Sequence, residues 1–263
     1  MTMSPLPGTF PFGAKLVPLV QADRSPKRVF VLGVYASAVH ARWTGPDGRV
    51  LVHALAVASE PVIFWNGDGA ADIIRAIPVP AAAGRLEPAD AKFNGPSGRS
   101  IDDDFLGPLG LARADAWLCD LVPHTCLNPS QRAAAEREYE PRREACGLPP
   151  VDLPDVPKSF ADDERRAEIL SEIAEAKPSI IVLLGDQPLR HFAARAGGEW
   201  RRLADFGRDD DKYGRLHPME IDGRSYELLP LAHPRQVSGL GMHSAEWRRR
   251  HNAWKRDVAL RLL

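Results

Sequence analysis

The chain has no basic excess. Its 34 lysines and arginines face 35 aspartates and glutamates, a formal net charge of −1 over 263 residues. A nucleic-acid partner would therefore have to be held by locally clustered cations rather than by overall charge. Cysteine is scarce, with only Cys119, Cys126 and Cys146. Three thiols make no disulfide framework, and no CxxC or Cys/His spacing suggests zinc. A reducing, cytoplasmic setting without metal or other cofactor is expected. The opening Met-Thr-Met-Ser-Pro-Leu-Pro-Gly has neither the basic nor the apolar region of a signal peptide. No apolar run approaches the length of a membrane span, so no membrane partner is expected. Nucleotide-binding glycines are missing as well: Gly33-Val34-Tyr35-Ala36-Ser37 is not GxGxxG, and no Walker lysine pattern occurs.

What the sequence has is a hydrophobic content of 44%, enough for a sizeable core, and alternating strand and helix signals. A Pro-rich lead-in occupies 1–26. Short, apolar, β-branched runs predict strands at 28–33, 49–58, 61–65, 116–122, 178–185 and 226–231. Helices are predicted at 70–77, 102–112, 130–145, 161–176, from 188, and at 244–262 with Ser244 as N-cap. This order predicts one α/β domain over 1–263, with a mostly parallel central sheet between helices in three αβα layers. Ligands of such folds sit beyond the carboxyl ends of the strands, after Gly33, Leu118, Gly185 and Leu231.

At those ends stand residues with chemistry. His233-Pro234 opens the loop after Leu231, continuing as Arg235-Gln236-Val237-Ser238. Asp120 interrupts the apolar Trp117-Leu118-Cys119-Asp120-Leu121-Val122, where an unpaired carboxylate would be costly to bury. Each also has a structural reading, His-Pro as an ordinary loop start and Asp120 as a strand-end cap. Phe93-Asn94-Gly95-Pro96-Ser97-Gly98 reads as a tight turn before a helix.

In this order the segments resemble the uracil-DNA glycosylase superfamily. Val31-Leu32-Gly33-Val34-Tyr35 lies where that superfamily has its first motif. Phe93 to Asp102 is similar to its Phe-x-Gly-x-x-Gly-x-x-Leu-Asp segment. Asp120 falls where an Asn commonly reads the base edge, Ile180 to Gly185 matches an apolar strand ending in Leu-Gly, and His233-Pro234 matches the second motif. The resemblance spans about 28–240, with 44–91 as a probable insertion. Three cysteines leave no four-cysteine iron–sulfur pattern. The first loop lacks the Asp or Asn that positions water in many members.

The resemblance implies a monomeric enzyme that flips a base out of single- or double-stranded DNA and excises it. Phe93 would stack on the base, with Gly33, Val34, Tyr35 and Ser37 lining its pocket. His233 would donate to the departing base, and Asp120 would read its edge. Arg235, Gln236 and Ser238 would touch DNA, with Val237 as the apolar wedge. Glu60, Ser37 and Tyr35 are alternatives for orienting water. An acceptor-only carboxylate suits a base with an exocyclic amine, such as a modified cytosine, better than uracil. Ordinary uracil repair and a catalytically idle DNA-binding relative with a basic terminal helix remain alternatives. An unrelated hydrolase using His124 and Cys126 is a third.

Overall fold

The run Ile180-Ile181-Val182-Leu183-Leu184 is apolar at every position and buried at every position. That is the pattern of a strand covered on both faces in a parallel sheet. The computed structural model describes residues 8–207, 209, 212–240 and 243–262. Its strands are β1 (Val29–Tyr35), β2 (Ala38–Thr44), β3 (Val50–Ser59), β4 (Arg85–Pro88), β5 (Ala116–Val122), β6 (Ile180–Leu184), β7 (His217–Ile221) and β8 (Arg224–Leu231). Its α-helices are α1 (Ala70–Arg75), α2 (Pro96–Ser100), α3 (Pro129–Ala134), α4 (Glu140–Arg143), α5 (Asp163–Ala176), α6 (Asp186–His191), α7 (Pro234–Val237) and α8 (Ser244–Asp257). Chain contacts divide these elements between two compact units.

One unit comprises Val20–Val34, Arg99–Val122 and Ser159–Leu263. Its five-stranded sheet runs β5-β1-β6-β8-β7. Strands β1, β6 and β8 pair in parallel, and β7 closes one edge antiparallel to β8. With flanking helices this is the α/β, three-layer αβα arrangement with a mostly parallel sheet. The β7–β8 hairpin turns on Asp222-Gly223, both at positive φ (48° and 72°), as a two-residue turn matched to strand twist requires. Helix α5 starts where Asp162 accepts the Arg165 N–H at 2.8 Å, and it buries Ile169, Ile173 and Ala176 along one stripe. At the β5 edge of the sheet, the Leu118 N–H donates to the Gln21 side chain at 3.1 Å.

The other unit comprises the residues up to Leu19, Tyr35–Gly98 and Pro123–Lys158. Its antiparallel sheet runs β3-β2-β4 over a core in which Phe12, Trp43 and Tyr139 meet edge-on or tilted. Phe10, Phe12 and Leu16 are buried, so part of the Pro-rich lead-in is built into this core. Residues 44–91 supply β3, α1 and β4.

Several local expectations are corrected. Residues 61–65 form a turn instead of a strand, with Ile63, Phe64 and Trp65 buried, because Pro61 lacks an N–H and Phe64 takes φ 51°. The stretch 102–112 is not one helix: α2 runs into a π-helical turn over Ile101–Leu106 and a 3-10 turn at Gly107–Leu109. The N-cap of α8 is His243 at φ 57°, with Ser244 already in the first turn. Strands β2, β4 and β7 were not anticipated.

Candidate active site

Three parallel strands end side by side. The register sets Leu32 beside Leu183 and Leu184 beside Leu231, which brings Val34, Gly185 and His233 to one edge of the sheet. Beyond the ladder, the Gly185 N–H donates to Leu231 O at 2.8 Å. Gly185 has φ 84°, and a Cβ there would lie 3.1 Å from the His233 Cβ. Only glycine allows both the turn and this close approach.

Asp120 joins the same edge, on β5 next to β1, with its carboxyl facing the Val34 N–H. The residue is 4% exposed, and its Oδ1 has no hydrogen-bond partner among the described residues. Burial lifts the carboxyl to about 7, against the opposing pull of the Arg165 charge and the Val34 N–H. Arg165 comes from α5 and grips the strand behind the carboxyl. It donates to Asp120 O at 2.7 Å, Leu121 O at 3.2 Å and Cys119 Sγ at 3.2 Å. It also pairs with Glu168 and Glu172. A buried acceptor left unpaired at a strand end is expensive, and such a group suits a ligand atom.

His233 is the N-cap of α7. Its Nδ1 accepts the Arg235 N–H at 3.1 Å, so the proton of the neutral ring sits on Nε2. The Gln236 Oε1 accepts the His233 N–H at 3.2 Å. Burial first, then the Arg235 charge, lowers the imidazole to about 4. At neutral pH the ring is therefore an uncharged donor through Nε2–H. Of the neighbouring loop residues, Arg235 is exposed and Gln236 half-buried, and Ser238 Oγ donates to Pro234 O at 2.9 Å. Val237 is 5% exposed, whereas Leu240, which the sequence reading passed over, is 54% exposed. Its signal in the sequence was an apolar residue between two glycines, Gly239-Leu240-Gly241.

The remaining predicted residues lie in the other unit, apart from Gly33 and Val34, which close β1 in the sheet unit. Tyr35 and Ser37 are half-buried. The Ser37 N–H donates to Glu60 Oε1 at 3.1 Å, and Thr125 Oγ1 donates to Ser37 O. Glu60 itself is buried. Phe93 is 36% exposed, with Lys92 Nζ 5.1 Å from its ring centroid. The glycines after it serve packing. A Cβ on Gly95 would fall 2.0 Å from the Asn66 carbonyl carbon, and one on Gly98 would fall 2.2 Å from Phe64 O. Asn94 brackets the His40 backbone, accepting its N–H at 2.8 Å and donating to its carbonyl at 2.9 Å. Phe93 thus sits on a segment tied down on its carboxyl side.

Two rival constellations have their own geometry. Cys126 Sγ lies 3.8 Å from His124 Nδ1, but burial pushes the thiol up to about 11, so no thiolate nucleophile forms at neutral pH. On the basic helix α8, Arg250 is buried and pairs with Glu246 at 2.7 Å, Lys255 pairs with Asp104 at 2.6 Å and Arg248 donates to backbone carbonyls, while Arg249 and Arg256 are exposed. Among the described residues no group of His, Cys, Asp or Glu is placed to hold a metal ion.

A family model described as the uracil DNA glycosylase superfamily matches residues 84–255. The chain belongs to this superfamily. The match takes in Phe93, Asp120 and His233 to Ser238, while Gly33, Val34, Tyr35, Ser37 and Glu60 precede it. Membership makes the protein a DNA glycosylase-type hydrolase, with DNA as its partner. No curated protein matches the chain. No helix among the described residues is long and apolar enough to cross a membrane.

Proposed function

We propose that the protein excises from DNA a flipped base bearing an exocyclic amine, a modified cytosine in particular, and leaves an abasic site. The observation that carries this reading is the opposite polarity of two groups at one sheet edge. His233 offers a fixed neutral Nε2–H, and Asp120 offers an unsatisfied acceptor, Oδ1. As the glycosidic bond breaks, negative charge collects on the base, and a donor aimed at it contributes about 10²–10³ in rate. An uncharged imidazole serves as such a donor without needing to lose a proton first. An ionised Asp120 accepts from an N4 amine and repels the O4 of uracil. Phe93 supplies the stacking face, and Arg235 a phosphate contact.

Two assignments shift from the sequence reading. We give the wedge to Leu240, whose side chain stands in solvent, in place of the buried Val237. Glu60, with Oε1 on the Ser37 N–H, is a brace for the 35–37 turn rather than the base that activates water. Excision of modified cytosine would serve defence against phage carrying such DNA, or repair.

The second reading is uracil excision, favoured by the raised titration point of Asp120. A protonated carboxyl has one donor and one acceptor, as an amide does, and pairs with uracil O4 and N3–H. The test is incubation with matched duplexes containing uracil, hypoxanthine, cytosine and 5-hydroxymethylcytosine, followed by alkaline cleavage of abasic sites. Release of an amine-bearing base supports the first reading, and release of uracil alone supports the second. No release from any duplex would point to a catalytically idle DNA-binding relative.

A further inference from the structure

The loop that carries His233 is held at both ends by one helix. At its start, the Ala232 N–H donates to the Tyr213 hydroxyl at 2.8 Å. That hydroxyl lies 2.7 Å from His251 Nδ1, and His251 Nε2 lies 2.8 Å from Asp104 O. The carbonyl can only accept, so Nε2 carries the imidazole proton and Nδ1 accepts from Tyr213. Every proton in the chain Ala232–Tyr213–His251–Asp104 then has one direction. His251 belongs to α8 and is fully buried. The next turn of α8 fixes the backbone that follows Tyr213: Trp254 Nε1 donates to Gly214 O at 3.1 Å. A Cβ on Gly214 would lie 2.2 Å from the Trp254 ring.

At the far end of the loop, Arg248 of α8 donates through Nε to Val237 O at 3.0 Å and through Nη2 to Ser238 O. The guanidinium occupies the space that a side chain on Gly239 would take, since a Cβ there would fall 1.4 Å from Nη2. Neither Tyr213 nor Arg248 belongs to the residues named above for base or DNA contact.

We propose that α8 is a brace for the 232–239 loop, with Tyr213 and Arg248 as positioning residues that fix the direction of the His233 Nε2–H. The inference rests on the proposed role of His233 as the donor to the leaving base. It also gives the basic terminal helix a task other than DNA contact.

The experiment compares wild type with Tyr213→Phe, Arg248→Met and Gly239→Ala. The last variant displaces the guanidinium without altering it. Two readouts are taken: the ¹⁵N resonances of the His233 imidazole, and single-turnover release against binding for duplexes carrying uracil or 5-hydroxymethylcytosine. Each variant is expected to shift the His233 resonances and to slow release about ten- to a hundredfold, as misplacement of a catalytic group does, with duplex binding little changed. Unchanged His233 resonances and rates in all three folded variants would overturn the proposal. If Tyr213→Phe fails to fold, the two variants at the solvent end of the loop carry the test. If wild type releases no base, the glycosylase reading falls, and the imidazole resonances still decide whether α8 positions His233.

Discussion

Asp120 on β5 faces the Val34 N–H of the neighbouring β1, and its carboxyl titrates near 7 because burial outweighs both that N–H and the Arg165 charge. Base choice should therefore depend on pH. Above about 7 the carboxylate favours an amine-bearing base, and below it the neutral acid tolerates uracil. Asp120→Asn should remove this dependence and shift activity toward uracil by roughly ten- to a hundredfold, the worth of one base-reading pair. Excision of uracil and 5-hydroxymethylcytosine measured side by side at pH 6 and 8.5 checks this. A selectivity independent of pH in wild type would remove Asp120 from base reading.

His233→Ala should lower base release about a hundredfold or more, as loss of a donor to developing charge does. Binding should hardly change, and the melting temperature should fall modestly, since the ring caps α7 through the Arg235 N–H and loss of such a cap costs about 1 kcal/mol. Single-turnover rates within a few-fold of wild type would exclude the donor role.

Phe93 and Leu240 are large apolar side chains that stand substantially in solvent. Truncating either to Ala should leave thermal stability nearly intact. Loss of the Phe93 stack should weaken substrate engagement by about 1–3 kcal/mol. Val237→Ala should do the reverse, lowering the melting temperature because a buried methyl pair leaves a cavity. Melting curves and duplex affinities of the three variants separate wedge from core.

Acid should destabilise the fold through its buried imidazoles. His40, His233 and His251 are all lowered from 6.5 to about 4, each chiefly by burial. Between those values the unfolded chain binds more protons at these sites, so their contribution to stability falls as pH drops from about 6.5 to 4. Asp120 acts oppositely. Raised from 3.8 to about 7, it binds its proton more tightly in the fold and adds stability on acidification across that range. Three groups outweigh one, and the melting temperature should fall between pH 6.5 and 4. His251→Gln should flatten that slope, and thermal melts at stepped pH measure it.

Much of the sheet was legible because its information is local. The short apolar runs at 28–33, 116–122 and 178–185, bounded by turn residues, read as strands covered on both faces, and β1, β5 and β6 lie there. Strand β7 escaped notice although Asp222-Gly223 marks its hairpin, because His217-Pro218-Met219-Glu220 has no strong alternation of its own. The 61–65 turn was misread for the opposite reason: Ile63, Phe64 and Trp65 are apolar and buried, but they lie in a turn whose Phe64 and Trp65 carbonyls pack against Gly98.

The order of Phe93, Asp120 and His233-Pro234 along the chain was sufficient to indicate the superfamily, and residue type alone marked Asp120 as a costly group to bury. Tertiary structure decided the rest. Whether Asp120 is charged depends on how far burial outweighs Arg165, which lies 45 residues away. Which nitrogen of His233 bears the proton depends on the backbone turn that brings the Arg235 N–H to Nδ1. That Val237 is buried and Leu240 exposed depends on how the loop is held, and Arg248 holds it from a helix that begins after the loop ends. Protonation, direction and exposure are set by the electrostatics and packing of neighbours distant in the chain, and no window of local sequence contains them.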